Sequence, residues 1–212
     1  AKDVISHAKE CGLYDGDGSD FSFADTYGPL DFSGMRSCEA RVWSFFNRHG
    51  AEDMSKYIDF ARGDNPKNRM PLYVKAKEKL SVKDVADMMR DHYEGTEFDM
   101  TKGISAGGHE LPYRWRPSSY EVDGVKVHNE RAIATQQTAF VLVSQMRSWL
   151  PNAIGGIHWF GVDDAATNVF VPLYCCLTSA PKSYSESTAD LYNFSLESAF
   201  WVNNWVANQA YG

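Results

Sequence analysis

The sequence predicts an α+β fold organised on an antiparallel sheet, and three observations carry that expectation. From Glu130 to Cys176 β-type residues dominate and turn signals fall between apolar runs, which reads as a three-stranded antiparallel unit. Around it, apolar side chains recur at helical spacing in several separate segments. Ahead of it, Tyr120 to His128 reads YEVDGVKVH, and its Asp123-Gly124 centre is the strongest short signal for a hairpin turn.

At 212 residues, 43% hydrophobic and 14% aromatic, the chain can bury one sizeable core or two small ones. A net charge of -7, with acids scattered among the lysines and arginines, argues against a nucleic-acid partner, because such binders concentrate basic residues on one face. No apolar run approaches the ~20 residues that span a bilayer, so no membrane partner is expected. The opening AKDVISHAKE lacks the apolar centre of a signal peptide; any such signal would lie upstream of Ala1, and the compartment stays open. The four cysteines are too few and too irregular for a disulfide framework. They are expected to be free, since cysteine is among the most often buried residue types, with Cys175 and Cys176 on opposite faces of a strand.

In chain order, Val4, Ile5, Ala8 and Cys11 give a short first helix, stopped by Gly12. Asp15, Asp17 and Asp20 invite a calcium-loop reading. That pattern needs glycine and a carboxylate where Asp20 and Thr26 stand, so a solvated turn is preferred. Cys38, Val42, Trp43, Phe45 and Phe46 form a helix closed by Gly50, followed by a short helical segment from Asp53 to Ala61 and the GDNPKN turn. Ser81 with Asp84 makes a capping-box start, and Val82, Val85, Met88, Met89 and Tyr93 form one apolar stripe up to Gly95.

Phe98 to Pro117 is irregular and ends in Arg114-Trp115-Arg116, which either clamps a ligand carboxylate or is pinned to the core with its arginines on local acids. In the hairpin, Tyr120/Val122 and Val125/Val127 alternate, so one face is expected to be buried. A strand from Ala132 to Val143 is expected to be covered on both faces, with Thr135, Gln136, Gln137 and Thr138 in its middle. Ile157 to Val162 and Val169 to Cys176 follow, with Pro172 marking an edge strand. Ser195 caps a last amphipathic helix to Tyr211.

No zinc spacing appears among the six histidines, and ISAGGHE lacks the features of a phosphate loop. Asp163-Asp164 at a strand end suits acid-base work or simply turn formation.

Four runs carry a family resemblance: LSVKDVADMMRDHYEGTEFDMTKG from Leu80, PYRW from Pro112, ERAIATQQTAFVLVSQMRSWLP from Glu130 and GGIHWFGVDDAATNVFVPLYC from Gly155. The chain resembles the cysteine-type dipeptidases of the N-terminal-nucleophile (Ntn) hydrolase superfamily, relatives of the bile-salt and penicillin V acylases. That resemblance implies an αββα sandwich and hydrolysis of dipeptides without metal or other cofactor. It also implies a cysteine at the mature N-terminus whose own α-amino group is the base. Ala1 cannot fill that role, so the nucleophile is expected on a missing N-terminal segment or chain upstream. The expected partition is a mainly helical insertion with irregular loops over 1–117, the antiparallel sheet unit over 118–180, and a loop and C-terminal helix over 181–212, truncated relative to the family.

In the related acylases an arginine at the head of a core strand lies beside the nucleophile, and Arg131 is the matching position. A buried guanidinium there either tunes the thiolate and a substrate carboxylate or pairs with Glu130 or Asp163. Thr135 and Gln137 are expected along the same pocket, with Arg114 as a further substrate contact. Gly107-Gly108-His109 departs from the family's Gly-Pro turn. The runner-up function is a non-catalytic peptide-binding or scaffold domain on the same fold, using the Arg114 to Arg116 loop. Dipeptide is the expected substrate, and an unpaired sheet edge would favour self-association into a homo-oligomer.

Overall fold

A computed structural model describes residues 3–28, 30–114 and 119–211. Its contacts divide the chain into two compact units, Ala1–Lys75 with Ser119–Asn129, and Ala76–Ser118 with Glu130–Gly212.

The first unit is mostly helical. Helix α1 (Val4–Glu10) starts on Asp3, whose carboxylate accepts the Ser6 amide at 2.9 Å, and gives way to Gly12 at φ +67°. Asp17 and Asp20 are occupied in their own turn, by Ser19 and by the Tyr14 hydroxyl. Helices α2 (Phe23–Tyr27) and α3 (Phe32–Gly34) are short. A π-helical turn, Met35–Glu39, then leads into α4 (Ala40–His49). Buried Trp43 donates its indole N–H to the Met54 carbonyl at 2.8 Å, fixing α4 to the segment that becomes α5 (Ile58–Arg62). Asp59 collects the side-chain amides of Asn65 and Asn68, so the GDNPKN turn closes on the end of α5. Gly63 is required there: φ is +91°, and a Cβ would stand 2.7 Å from the Phe32 ring.

Strands β1 (Ser119–Val122) and β2 (Val125–His128) form the expected hairpin, with Asp123 and Gly124 both at positive φ, as a type I′ turn demands. The expectation of a buried hairpin face is not met: Tyr120, Val122 and Val125 are all exposed. His128 is held between two hydroxyls, its Nε2 2.6 Å from Ser37 Oγ and its Nδ1 2.5 Å from Ser119 Oγ.

The second unit carries the three-stranded antiparallel sheet, in the order β3 (Phe140–Met146), β4 (Gly156–Val162), β5 (Val171–Tyr174). Helix α6 (Val82–Met89) precedes it with the full capping box: the Ser81 hydroxyl accepts the Asp84 amide and the Asp84 carboxylate accepts the Ser81 amide. The helix ends at Met89 and not at Tyr93. Asp91 Oδ1 accepts the Tyr93 amide, and Tyr93 takes φ +64°, which no helix continues through. Pro172 lies on edge strand β5, as its missing N–H requires.

The strand expected from Ala132 begins only at Phe140. Thr135, Gln136, Gln137 and Thr138 belong to a turn in which the Thr138 amide and hydroxyl both donate to the Thr135 carbonyl, at 2.9 and 2.6 Å. Hydroxyl side chains offer the backbone this local alternative to a ladder. Nor are both faces of the strand covered. Val141 and Val143 are buried, with Val141 against Ala134 and Ala165, while Phe140, Leu142 and Met146 on the other face are exposed. A single helical turn, α7 (Asn152–Gly155), links β3 to β4. The last helix, α8 (Ala199–Tyr211), starts three residues later than expected, because Ser198 and not Ser195 accepts the first helical amides, from Trp201 to its hydroxyl and from Val202 to its carbonyl. Among the described residues no helix is long and apolar enough to cross a membrane.

Candidate functional site

Three sequence-distant segments of the second unit converge at one end of the sheet. The first, Arg90-Asp91-His92-Tyr93, leaves α6. The second is the Arg131 to Thr138 loop leading into β3, and the third is the Asp163 to Asn168 turn leaving β4. Their backbones are tied together. The Ala134 amide donates to the Asp91 carbonyl at 3.1 Å, the Tyr93 hydroxyl donates to the Arg131 carbonyl at 2.8 Å, and the Asp163 amide donates to the Ala139 carbonyl at 2.8 Å. Arg90 reaches across to the Asn168 carbonyl at 3.1 Å with its guanidinium over the Phe170 ring. Tyr93 and Asp163, both at positive φ without being glycine, sit at this junction, and such conformations persist only where the surroundings enforce them.

The interior of the junction is polar. Asp91, His92, Asp164 and Asn168 are all buried, Asp164 at 1% exposure. Asp164 Oδ2 anchors its turn, accepting the Thr167 amide at 3.1 Å, the Thr167 hydroxyl at 3.0 Å and the Tyr113 hydroxyl at 3.2 Å. The Tyr113 ring meets His92 edge to face at 5.8 Å. His92 Nδ1 lies 3.4 Å from Glu94 Oε1, and its backbone N–H donates to Glu94 Oε2. Burial pushes the Glu94 carboxyl up, yet the two hydrogen bonds from His92 and one from Glu94's own amide outweigh it and hold the group at about 2. For Asp163 the balance runs the other way: burial, with the neighbouring Asp164 charge adding to it, raises its carboxyl above the usual range. His92 Nε2, Asp164 Oδ1 and both side-chain polar atoms of Asn168 are buried with no hydrogen-bond partner among the described residues. Asn168 packs directly beneath β4, where a Cβ on Gly161 would come within 2.8 Å of its amide carbon; only glycine lets the strand lie this close.

The structure separates the site residues expected from the sequence into two groups. Arg131, Thr135 and Gln137 fall together on the loop, the Thr135 hydroxyl donating to Gln137 Oε1 at 2.6 Å. Arg131 and Gln137 are exposed and Thr135 is partly buried. The Arg131 guanidinium is thus not the buried group expected, and Glu130, suggested as its partner, is engaged by Arg114 instead. Arg114 is inward-facing, its side chain 8% exposed. Its Nε donates to Glu130 Oε2 at 3.1 Å and its Nη1 to the Met100 carbonyl at 2.9 Å. That is the local-acid arrangement and not a solvent-facing clamp. Trp115 and Arg116 lie outside the described residues.

His92 and Asn168 escaped the sequence reading, while Asp164, expected either in acid-base work or in turn formation, anchors its turn. The available signal was the pairing of the RDHYEGT and DDAATN runs, polar segments flanking apolar ones, each demanding partners once buried. None of the second unit's cysteines approaches the junction. Cys175 and Cys176 follow β5 at the opposite end of seven-residue β4, about 20 Å along the strand. All four cysteines are free, as expected, but exposed and not buried.

The model of peptidase family C69 matches residues 1–212. A probable dipeptidase from Salmonella dublin is 26% identical over 174 residues, 81% of this chain and 33% of that protein. One from Latilactobacillus sakei is 26% identical over 138 residues, 65% of the chain and 25% of that protein. Probable dipeptidase B of Lactococcus lactis subsp. lactis is 23% identical over 145 residues, 68% and 26% respectively. The chain therefore spans a third or less of the length of these curated relatives. With a match that runs from the first residue to the last, through all three segments of the junction, the chain belongs to peptidase family C69.

Proposed function

We propose that this chain supplies one wall of the active site of a cysteine-type Ntn dipeptidase, in which its three-stranded sheet is part of an αββα sandwich. The nucleophilic cysteine belongs to the portion of the relatives' length that this chain does not span. In the reaction, the N-terminal thiolate attacks the dipeptide carbonyl, an acyl-enzyme forms with loss of the C-terminal amino acid, and water releases the other. Backbone donors stabilise the oxyanion.

The observation that supports this reading most is the joining of two of the family runs. The RDHYEGT stretch of the first and the ERAIATQQT stretch of the third are bound to each other through Tyr93 to Arg131 and Asp91 to Ala134. Ala132 and Ala134 face the buried side of that joint, and its outer side presents Arg131, Thr135 and Gln137. An exposed guanidinium with a hydroxyl and an amide beside it suits a dipeptide, which offers a free carboxylate and amide hydrogen-bonding groups. In this reading Arg131 orients the substrate carboxylate, Thr135 and Gln137 hold the peptide, and Arg114 positions the wall from behind through Glu130. Arg114's inward engagement also weighs against the peptide-clamp alternative.

The test is dipeptide hydrolysis by the full-length protein. Arg131→Ala is expected to lower kcat/KM by about tenfold to a hundredfold, mostly through KM, with Arg131→Lys recovering part of the loss. Unchanged kcat/KM in both variants would remove Arg131 from the site.

A further inference from the structure

Cys175 and Cys176 are adjacent, and the structure takes them off the strand. The Leu177 amide donates to the Tyr174 carbonyl at 3.1 Å, closing a four-residue turn in which the two cysteines occupy the central positions. On a strand, neighbouring side chains point to opposite faces; in this turn both sulfurs lie toward the same short segment. Cys176 Sγ donates to the Ala153 carbonyl at 2.6 Å. Cys175 Sγ lies over Gly156, where an added Cβ would come within 2.9 Å of it. Ala153 lies in α7 and Gly156 directly follows it, so both thiols lie against the same short segment, and both cysteines are exposed.

We propose that Cys175 and Cys176 form a redox-active vicinal dithiol that closes reversibly to a disulfide on meeting a small-molecule disulfide. One thiolate attacks a sulfur of that disulfide, making a mixed disulfide and expelling one small thiol. The second cysteine's thiolate attacks the protein-bound sulfur, forming the Cys175–Cys176 bond and expelling the second small thiol. The protein loses two electrons and two protons, and the oxidant becomes two thiols. Adjacent Cα atoms stand about 3.8 Å apart, closer than disulfides ordinarily bridge, so the ring is readily reduced again and serves as a switch and not as a staple. Closure also removes the Cys176 S–H from the Ala153 carbonyl, loosening the tie between the end of β5 and α7.

The experiment treats the full-length protein carrying Cys11→Ser and Cys38→Ser, its N-terminal cysteine alkylated beforehand, with oxidised glutathione. Expected in the peptide that holds Cys175 and Cys176 are a fall in titratable thiols from two to none, a mass decrease of about 2 Da with no adduct, and full reversal by dithiothreitol. Phenylarsine oxide, which bridges closely spaced thiols, is expected to bind the reduced pair one to one, and binding should be lost when Cys176→Ser is added. Stable glutathione adducts, covalent dimers, or equal arsenical uptake after Cys176→Ser would each overturn the proposal. Since all three altered cysteines are exposed, circular dichroism of the variants is expected to match that of the parent.

Discussion

Replacing Asp164 with alanine tests whether one buried carboxylate holds the junction together. Its Oδ2 accepts three hydrogen bonds, two from Thr167 and one from Tyr113, in a site 1% exposed. Hydrogen bonds to a charged acceptor contribute about 1.5–3 kcal/mol each, and a buried donor left without a partner costs about 1–3 kcal/mol. Against this, Asp164 Oδ1 already lacks a partner among the described residues, so removing the carboxylate relieves part of a burial cost. Thr167 is only partly buried, and water replaces some of what it loses. The net expectation is a loss of about 3 kcal/mol for Asp164→Ala. At roughly 2–4 °C per kcal/mol for a chain of this size, Tm falls by about 6–12 °C. Asp164→Asn keeps an acceptor for the Thr167 amide and is expected to cost about 1 kcal/mol. Urea midpoints report the difference, and hydrogen exchange at the Thr167 amide should quicken in the alanine variant before the sheet amides do. A loss below about 1 kcal/mol for alanine, or equal losses for the two variants, would show that the carboxylate is not the anchor.

Three further substitutions probe other parts of the account. Glu94 titrates at about 2 when folded, below its ordinary 4.5, so its contribution is fully present above about pH 4.5 and is lost as pH falls through about 2. The side chain is 46% exposed, and after allowance for solvent screening Glu94→Gln should cost about 1 kcal/mol near neutral pH, a gap that closes in acid; a gap that widens in acid would contradict the sign. Ser81→Ala removes the Asp84 amide's acceptor and is expected to lower the urea midpoint by the equivalent of about 1 kcal/mol, with Ser81→Thr largely neutral because its hydroxyl also donates to the Asp84 carboxylate. Gly63→Ala, at φ +91° and against the Phe32 ring, should cost about 1–2 kcal/mol in an unfolding titration, where an exposed Gly→Ala at negative φ would stabilise.

Local chemistry made some elements legible and long-range contact hid others. Ser81-Asp84, Asp123-Gly124 and Pro172 each specify a backbone geometry by themselves, and the capping box, the hairpin turn and the edge strand followed. The ATQQT run alternates as a strand would, but the partners that decide it, Asp91 and Tyr93, lie about 40 residues away, and its threonine hydroxyl is satisfied within the turn. The end of α6 was misplaced for the same reason: Asp91 gives its carbonyl to Ala134 and not to a further helical turn. The apolar residues of β3 lie on both faces, and the sequence could not say that only the Val141/Val143 face is covered. In the polar cluster of His92, Tyr113, Asp164 and Asn168 only the Asp163-Asp164 pair stands out locally; the contacts that join the cluster run between segments far apart in the chain.

The central claim is that these residues form a wall of the active site while the nucleophile lies elsewhere in the parent protein. Its most direct test is dipeptide hydrolysis measured in parallel for residues 1–212 alone and for the full-length protein. The account predicts no turnover by residues 1–212, and turnover by the full-length protein that disappears when its N-terminal cysteine is alkylated. Sustained hydrolysis by residues 1–212 alone would contradict it.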